Sequence, residues 1–388
     1  MKKHALVLFA GLCLLAAGVA GARTRLVALP DREATMIRLD NPGATLVQEE
    51  RVLTLQRGTN RIDFSWEGVR IDPQSVRLTM LGGESSSKVN LLSVSYPPGG
   101  SSLVWKVYSE SAVQQRARVT YLLQGLDRLI THRAVATQDE SSLKLQSRAV
   151  LRNYSGEDYA EAKCLLGYGR SFTVGLEHRE TRRVTFSEAS AVPVTKKFTW
   201  DAAKQPHDPE KADQRAGIPV SYVVRNSTES GLGQGPILPG KVRLFQADGT
   251  DSTVLLGEER ASFTPVGSKV ELSAGRSRDL TVTQRRMSSE RVNRRRDDAG
   301  NLEVYDRLVE DRVIIENHRD TKTSLTIVEH IPGEWEVVDF SHNYTKKNHS
   351  TLEFEVTVPA GEKVTMNLRY RRLDIFASRF EKLNTPRR

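Results

Sequence analysis

The segment Leu352–Tyr370 reads LEFEVTVPAGEKVTMNLRY. On its first arm Leu352, Phe354, Val356 and Val358 alternate with Glu353, Glu355 and Thr357. Pro359-Ala360-Gly361 turns the chain, and Val364, Met366, Leu368 and Tyr370 alternate back. A period of two is that of a β-strand, because successive side chains point to opposite faces. The segment predicts a hairpin with one wet face and one buried face.

The same period recurs toward the N-terminus. Ile62, Phe64 and Trp66 share a face opposite Arg61, Asp63 and Ser65. Val76, Leu78 and Met80 repeat the pattern, as do Leu92, Val94 and Tyr96, and then Ala117, Val119, Tyr121 and Leu123. Helical spacing is confined to Asp374–Leu383, where Phe376, Phe380 and Leu383 stand at i, i+4 and i+7. The expected fold is all-β: two or more antiparallel β-sandwich-like domains, with little helix beyond that short C-terminal one.

Of the 388 residues, 38% are hydrophobic and 27% charged, which is globular and too apolar for a disordered chain. The N-terminus has the order of an export signal. Lys2 and Lys3 precede an apolar run from Ala5 to Val19, and Ala20-Gly21-Ala22 supplies small residues for cleavage after Ala22. The run falls short of the ~20 residues of a membrane span, so no transmembrane span is expected in the mature chain. The product is expected to be exported, periplasmic or extracellular. Cleavage removes Cys13 and leaves Cys164 alone, which excludes an internal disulfide. Cys164 lies in an apolar strand-like stretch and reads as a buried thiol.

The domain organisation expected is a signal peptide over 1–22, an N-terminal β domain over 23–110 and a middle β domain over 111–216. A C-terminal β-sandwich domain over 217–373 follows, then a short helix and basic tail over 374–388. Pro97–Ser102 reads as a hairpin tip, Asp201–Gly217 as a charged loop, and Gly231–Gly240 as an irregular crossing.

Several segments together resemble the secreted bacterial family known as domain of unknown function 4139. They are Asn153-Tyr154-Ser155-Gly156-Glu157-Asp158-Tyr159, Gly231-Leu232-Gly233, Leu238-Pro239-Gly240-Lys241-Val242-Arg243-Leu244-Phe245, Leu256-Gly257-Glu258, Asp279-Leu280-Thr281-Val282, Ile314-Ile315-Glu316-Asn317 and Trp335-Glu336-Val337. The resemblance runs from about Arg116 to Tyr370. It implies a multi-strand β protein of the cell envelope. No catalytic residue is established for that family, so none is carried over. Many members carry a coiled coil in the first half, which this chain lacks, and Gly125-Leu126-Asp127 lacks an aromatic that often follows this Gly-Leu.

Local signatures of catalysis are absent from the sequence. His132, His178, His207, His318, His330, His342 and His349 show no metal-ligand spacing, and no metal site or cofactor is expected. Ser85-x-x-Lys88 and Ser141-x-x-Lys144 spell S-x-x-K, but both sit in strand or loop sequence rather than on a helix. Gly167-Tyr168-Gly169 lacks the third glycine of a phosphate loop. Asn153, Asn226, Asn343 and Asn348 begin N-x-S/T triplets.

The one compositional anomaly is basic. Arg285, Arg286, Arg291, Arg294, Arg295 and Arg296 fall within twelve residues, opposed only by Glu290. Such a cluster is a candidate anion-binding site, since a guanidinium bonds two oxygens at once. A turn at Asp298-Ala299-Gly300-Asn301 also folds the run back on Glu303, Asp306, Glu310 and Asp311, with Arg296 opposite Glu303. The hairpin then neutralises itself. Two functions stay open. One is a non-enzymatic envelope protein for binding, adhesion or assembly, its partner an anionic envelope lipid or polysaccharide or another envelope protein, not nucleic acid. The other is an envelope polysaccharide or peptide hydrolase with a site built from distant loops.

Overall fold

The computed structural model describes residues 25–27, 29–82, 88–201, 203–204 and 217–377. The signal segment ending at Ala22, most of the charged loop after Asp201 and the tail beyond Ala377 lie outside the described residues. The described chain is nearly all β, in several mostly antiparallel sheets. Its helical pieces are two single 3-10 turns, Pro73–Ser75 and Thr228–Ser230.

The chain divides into two compact units. The described residues up to Arg128 together with Leu151–Arg182 form the first, and Leu129–Val150 with the described residues from Arg183 onward form the second. The stretch 111–216, read as a middle domain, contributes to both.

The first unit holds a four-stranded sheet in the order Arg25–Val27, Gly58–Ser65, Ser102–Ser109, Val89–Ser95. Its six-stranded sheet runs Arg170–Leu176, Tyr159–Gly167, Ala34–Arg38, Thr45–Leu55, Val113–Leu123, Arg77–Met80. Ile62, Phe64 and Trp66 are buried, as their alternation predicts, and the Phe64 ring stacks on Trp105 at 5.5 Å. Pro97–Ser102 is the expected hairpin tip between antiparallel strands. Leu92, Val94 and Tyr96 are a correction. They are exposed, because Val89–Ser95 is the last strand of its sheet.

The second unit holds three sheets. One lies mostly in this unit and is five-stranded: Thr181–Pro193, Ser142–Asn153, Leu126–Ala136, Gly240–Ala247, Thr253–Ala261. Another is six-stranded: Lys269–Ser277, Ile218–Arg225, Thr195–Asp201, Thr323–His330, Thr351–Val358, Thr345–Lys346. The third is four-stranded: Leu280–Arg296, Leu302–Asn317, Lys363–Phe376, Trp335–Phe340.

The segment Leu352–Tyr370 is therefore no hairpin. Its first arm pairs with Thr323–His330 in the six-stranded sheet, and its second with Leu302–Asn317 in the four-stranded sheet. Leu352, Phe354, Val356, Val358, Met366, Leu368 and Tyr370 are all buried, as expected, in one shared core. The turn carries the chain from sheet to sheet, so the two apolar faces belong to one interior without the strands being hydrogen-bonded neighbours. Burial satisfies a period of two equally in either arrangement.

Asn317 fixes this corner. It is buried, and its Nδ2 donates to the carbonyls of Thr321, Val358 and Pro359 at 2.9, 3.1 and 2.9 Å. Asn153 serves likewise in the first unit, donating to Glu157 and Glu177 and accepting from Ser155. Asn226 donates to Gly235 and Thr264 and accepts from the Gly233 N–H. Buried carbonyls need donors where no ladder supplies them. Gly156 at the Asn153 corner has φ +94°, and a Cβ there would lie 1.9 Å from the Gly68 carbonyl oxygen. The expected C-terminal helix is also corrected. Asp374, Ile375 and Phe376 continue the strand Lys363–Phe376, pairing with Leu302–Asn317; Phe380 and Leu383 lie outside the described residues.

Candidate functional site

The outer face of the six-stranded sheet of the second unit is polar across five strands. Inward residues such as Phe198, Trp200, Val220, Tyr222, Leu272, Leu325, Ile327 and Phe354 fill the core. The alternate residues therefore face out: Lys197 and Thr199, Ser221 and Val223, Glu271 and Ser273, Ser324, Thr351, Glu353 and Glu355. Two adjoining concavities of about 600 and 510 Å³ lie on this face and share Lys197, Glu271, Lys347 and Glu353. No Phe, Tyr or Trp ring lines either. Drug-like pockets are lined mainly by apolar and aromatic groups, and this surface is not of that kind.

Lysine and glutamate interleave on the face. Lys197 meets Glu271 at 3.4 Å and Lys347 meets Glu353 at 2.9 Å. Thr326 donates to Glu355 at 2.8 Å, and the Ser324 and Thr357 hydroxyls are 3.0 Å apart. At one end three strands bring together Asp201, His330 and Thr351. The His330 Nε2 lies 3.1 Å from Asp201 Oδ1, and its Nδ1 lies 3.3 Å from the Thr351 hydroxyl. A carboxylate only accepts, so Nε2 carries a proton toward Asp201, and in the neutral ring Nδ1 accepts from the Thr351 hydroxyl. Asp201 also accepts from the Ala203 N–H and pairs with Lys204 at 3.3 Å. His330 is one of eight scattered histidines in the sequence; Asp201 and Thr351 had no signal there, since strand pairing alone brings them together.

A titratable cluster occupies the core side of the same sheet. Gln284 Nε2 donates to Glu329 at 3.0 Å, and Trp200 Nε1 donates to Gln284 at 3.5 Å. Arg286 pairs with buried Asp311 at 3.0 Å, and the Tyr370 hydroxyl donates to Asp311 at 3.4 Å. Burial, reinforced by the charge of Asp311, pushes the Glu329 carboxyl up to about 7. In the first unit buried Glu49 is held by Arg32 at 2.9 Å, Arg51 at 2.6 Å and the Tyr121 hydroxyl at 2.6 Å.

The six arginines do not converge on a common point through their recorded contacts. Arg286 bonds Asp311, and Arg295 bonds Asp374. Arg291 sits 5.0 Å over the Tyr305 ring. Arg294 donates to the Arg291 carbonyl and Arg296 to the Gly300 carbonyl. Arg285 stands opposite Arg312. Arg296 stands opposite Leu302, not Glu303, because register shifts after Val292 and Arg295 displace the ladder.

The remaining candidates have structural surroundings. His132 is buried between the Ser147 hydroxyl and the Leu238 carbonyl, each at 2.9 Å, and burial depresses its pKa. Cys164 is buried and its thiol is pushed up to about 12, which keeps it protonated and a poor nucleophile. Ser141 bonds Asp139, whereas Lys144 pairs with Glu188 at 2.5 Å. Ser85 lies outside the described residues. Gly167-Tyr168-Gly169 is the turn between two antiparallel strands. Asn153 and Asn226 are buried, and Asn343 and Asn348 are exposed. Among the described residues no three His, Cys, Asp or Glu are grouped to hold a metal ion, and no described helix is long and apolar enough to cross a membrane. No family model matches the chain, and no curated protein matches it.

Proposed function

We propose that the chain is an exported, non-enzymatic cell-envelope protein that binds an extended polar polymer across the outer face of the six-stranded sheet in its second unit. The observation that carries this reading is the open polar face, spanning five strands and lined by Ser221, Thr199, Ser324, Glu353 and Glu271. Interleaved Lys197, Glu271, Lys347 and Glu353 suit a ligand rich in hydroxyl and amide groups, such as an envelope polysaccharide. The export reading rests on Lys2, Lys3, the apolar run and Ala20-Gly21-Ala22. Kinship with the domain of unknown function 4139 family belongs to the same proposal. It is supported by the burial of Asn153 and Asn317 at chain corners and by the close backbone approach at Gly156, where fold-defining residues are needed.

The test is retention of the mature chain on purified envelope polysaccharide. Ser221→Trp, which fills the groove without touching the core, should abolish retention and leave the melting temperature unchanged. Retention equal to wild type would overturn the reading. A hydrolase is the second reading, favoured by the Thr351–His330–Asp201 chain of hydrogen bonds. Release of new reducing ends by wild type, lost in His330→Ala, would establish it in place of simple binding.

A further inference from the structure

We infer that Val89–Ser95 is a homodimer edge, at which a second copy of this chain adds its own Val89–Ser95 antiparallel to form one continuous sheet. Among the described residues this strand is last in its sheet, bonded on one side to Ser102–Ser109 and on the other to no strand. Unpaired edges invite another strand, and proteins blunt them with charge. Every other edge strand of the described sheets carries a charged residue, among them Arg25, Arg77, Arg170, Glu188, Lys346 and Glu336. Val89–Ser95, reading VNLLSVS, and Tyr96 after it carry none.

The apolar rows of the core also run out uncovered here. Ile62, Trp105 and Val94 are in register across three strands, with 0%, 1% and 41% exposure. Beyond a register shift at Leu92, Leu91 pairs with buried Val107 and is 42% exposed. Leu92 and Tyr96 add 54% and 51%. An added strand would have to bring apolar residues on that same face.

A second copy meets this condition by symmetry. A two-fold axis perpendicular to the sheet reverses strand direction and keeps each face on its own side. Core-face Leu91 and Val94 then lie beside the same residues of the other copy, and the backbone forms an antiparallel ladder. The neutral strip also lets two mature chains, each of net charge +7 once the two positive charges of Lys2 and Lys3 are removed from the +9 of the full chain, approach without repulsion at the contact. This inference is independent of the polar face in the second unit.

Light scattering and sedimentation of the mature chain over a dilution series read the outcome. Wild type should show twice the chain mass, dissociating on dilution. Leu92→Lys and, as a second variant at an exposed polar position, Ser93→Lys should run at the monomer mass with unchanged melting temperatures. A wild type that is monomeric at every concentration overturns the inference, as does a dimer mass that survives both lysine substitutions.

Discussion

Glu329 is a buried carboxyl whose acidity folding weakens. Its pKa, near 4.5 when unfolded, is raised to about 7 by burial and by Asp311, against the smaller opposing pulls of Gln284 and Arg286; Asp201 adds to the rise. Tyr370 faces the same carboxylates, and its pKa is raised by burial. The sign follows from linkage. A carboxyl that folding makes a weaker acid binds more protons in the native state, so stability is complete below the unfolded pKa. It falls as pH rises toward about 7 and levels off above. The expected loss is on the order of a few kcal/mol. Thermal melts between about pH 5 and about pH 8 should show it, and Glu329→Gln should flatten the dependence. An unchanged pH profile in that variant would refute the assignment. Asn317→Ala should cost on the order of 3 kcal/mol in chemical denaturation, because three carbonyls lose their donor. Cys164→Ala should cost about 1 kcal/mol and leave binding intact, as expected of a buried thiol and not of a reactive one.

At the scale of elements, the arginine hairpin Leu280–Arg296/Leu302–Asn317 separates charge balance from ligand binding. Each of Arg286, Arg291, Arg294, Arg295 and Arg296 already has a contact within the chain. Changing Arg294, Arg295 and Arg296 together to Gln should therefore leave both the melting temperature and retention on anionic lipid vesicles unchanged. Exposed pairs of this kind contribute little. Loss of retention with normal melting would instead make the hairpin an anion site. The hairpin Leu280–Asn317 was legible from Asp298–Asn301, but its register was not. The turn closes on Asp297, which accepts from the Ala299 and Asn301 N–H groups, and register shifts after Val292 and Arg295 displace the ladder. Leu352–Tyr370 teaches the complementary lesson. Its inward residues were identified correctly, yet its strands joined different partners.

For the whole molecule, the export proposal makes a direct prediction: N-terminal sequencing of the mature protein should begin at Arg23, after cleavage at Ala22. Recovery with Met1 intact and only in detergent extracts would refute it. Local alternation determined that this is a β protein and which side chains of Ile62–Trp66, Ala117–Leu123 and Leu352–Tyr370 face inward, because strand periodicity is carried by neighbours in the chain. The composition around Cys164 determined its burial in the same way. Partner choice was decided only in three dimensions. The backbone bonds of a strand are satisfied equally by any suitable neighbour, so Thr351–Val358 gives no local sign that it pairs with Thr323–His330. Asp201, His330 and Thr351 come together solely through that pairing and the one beside it. The same reason explains the exposed edge at Leu91–Tyr96. Its alternation is that of a half-buried strand, and only its terminal place in the sheet leaves the apolar side open to water.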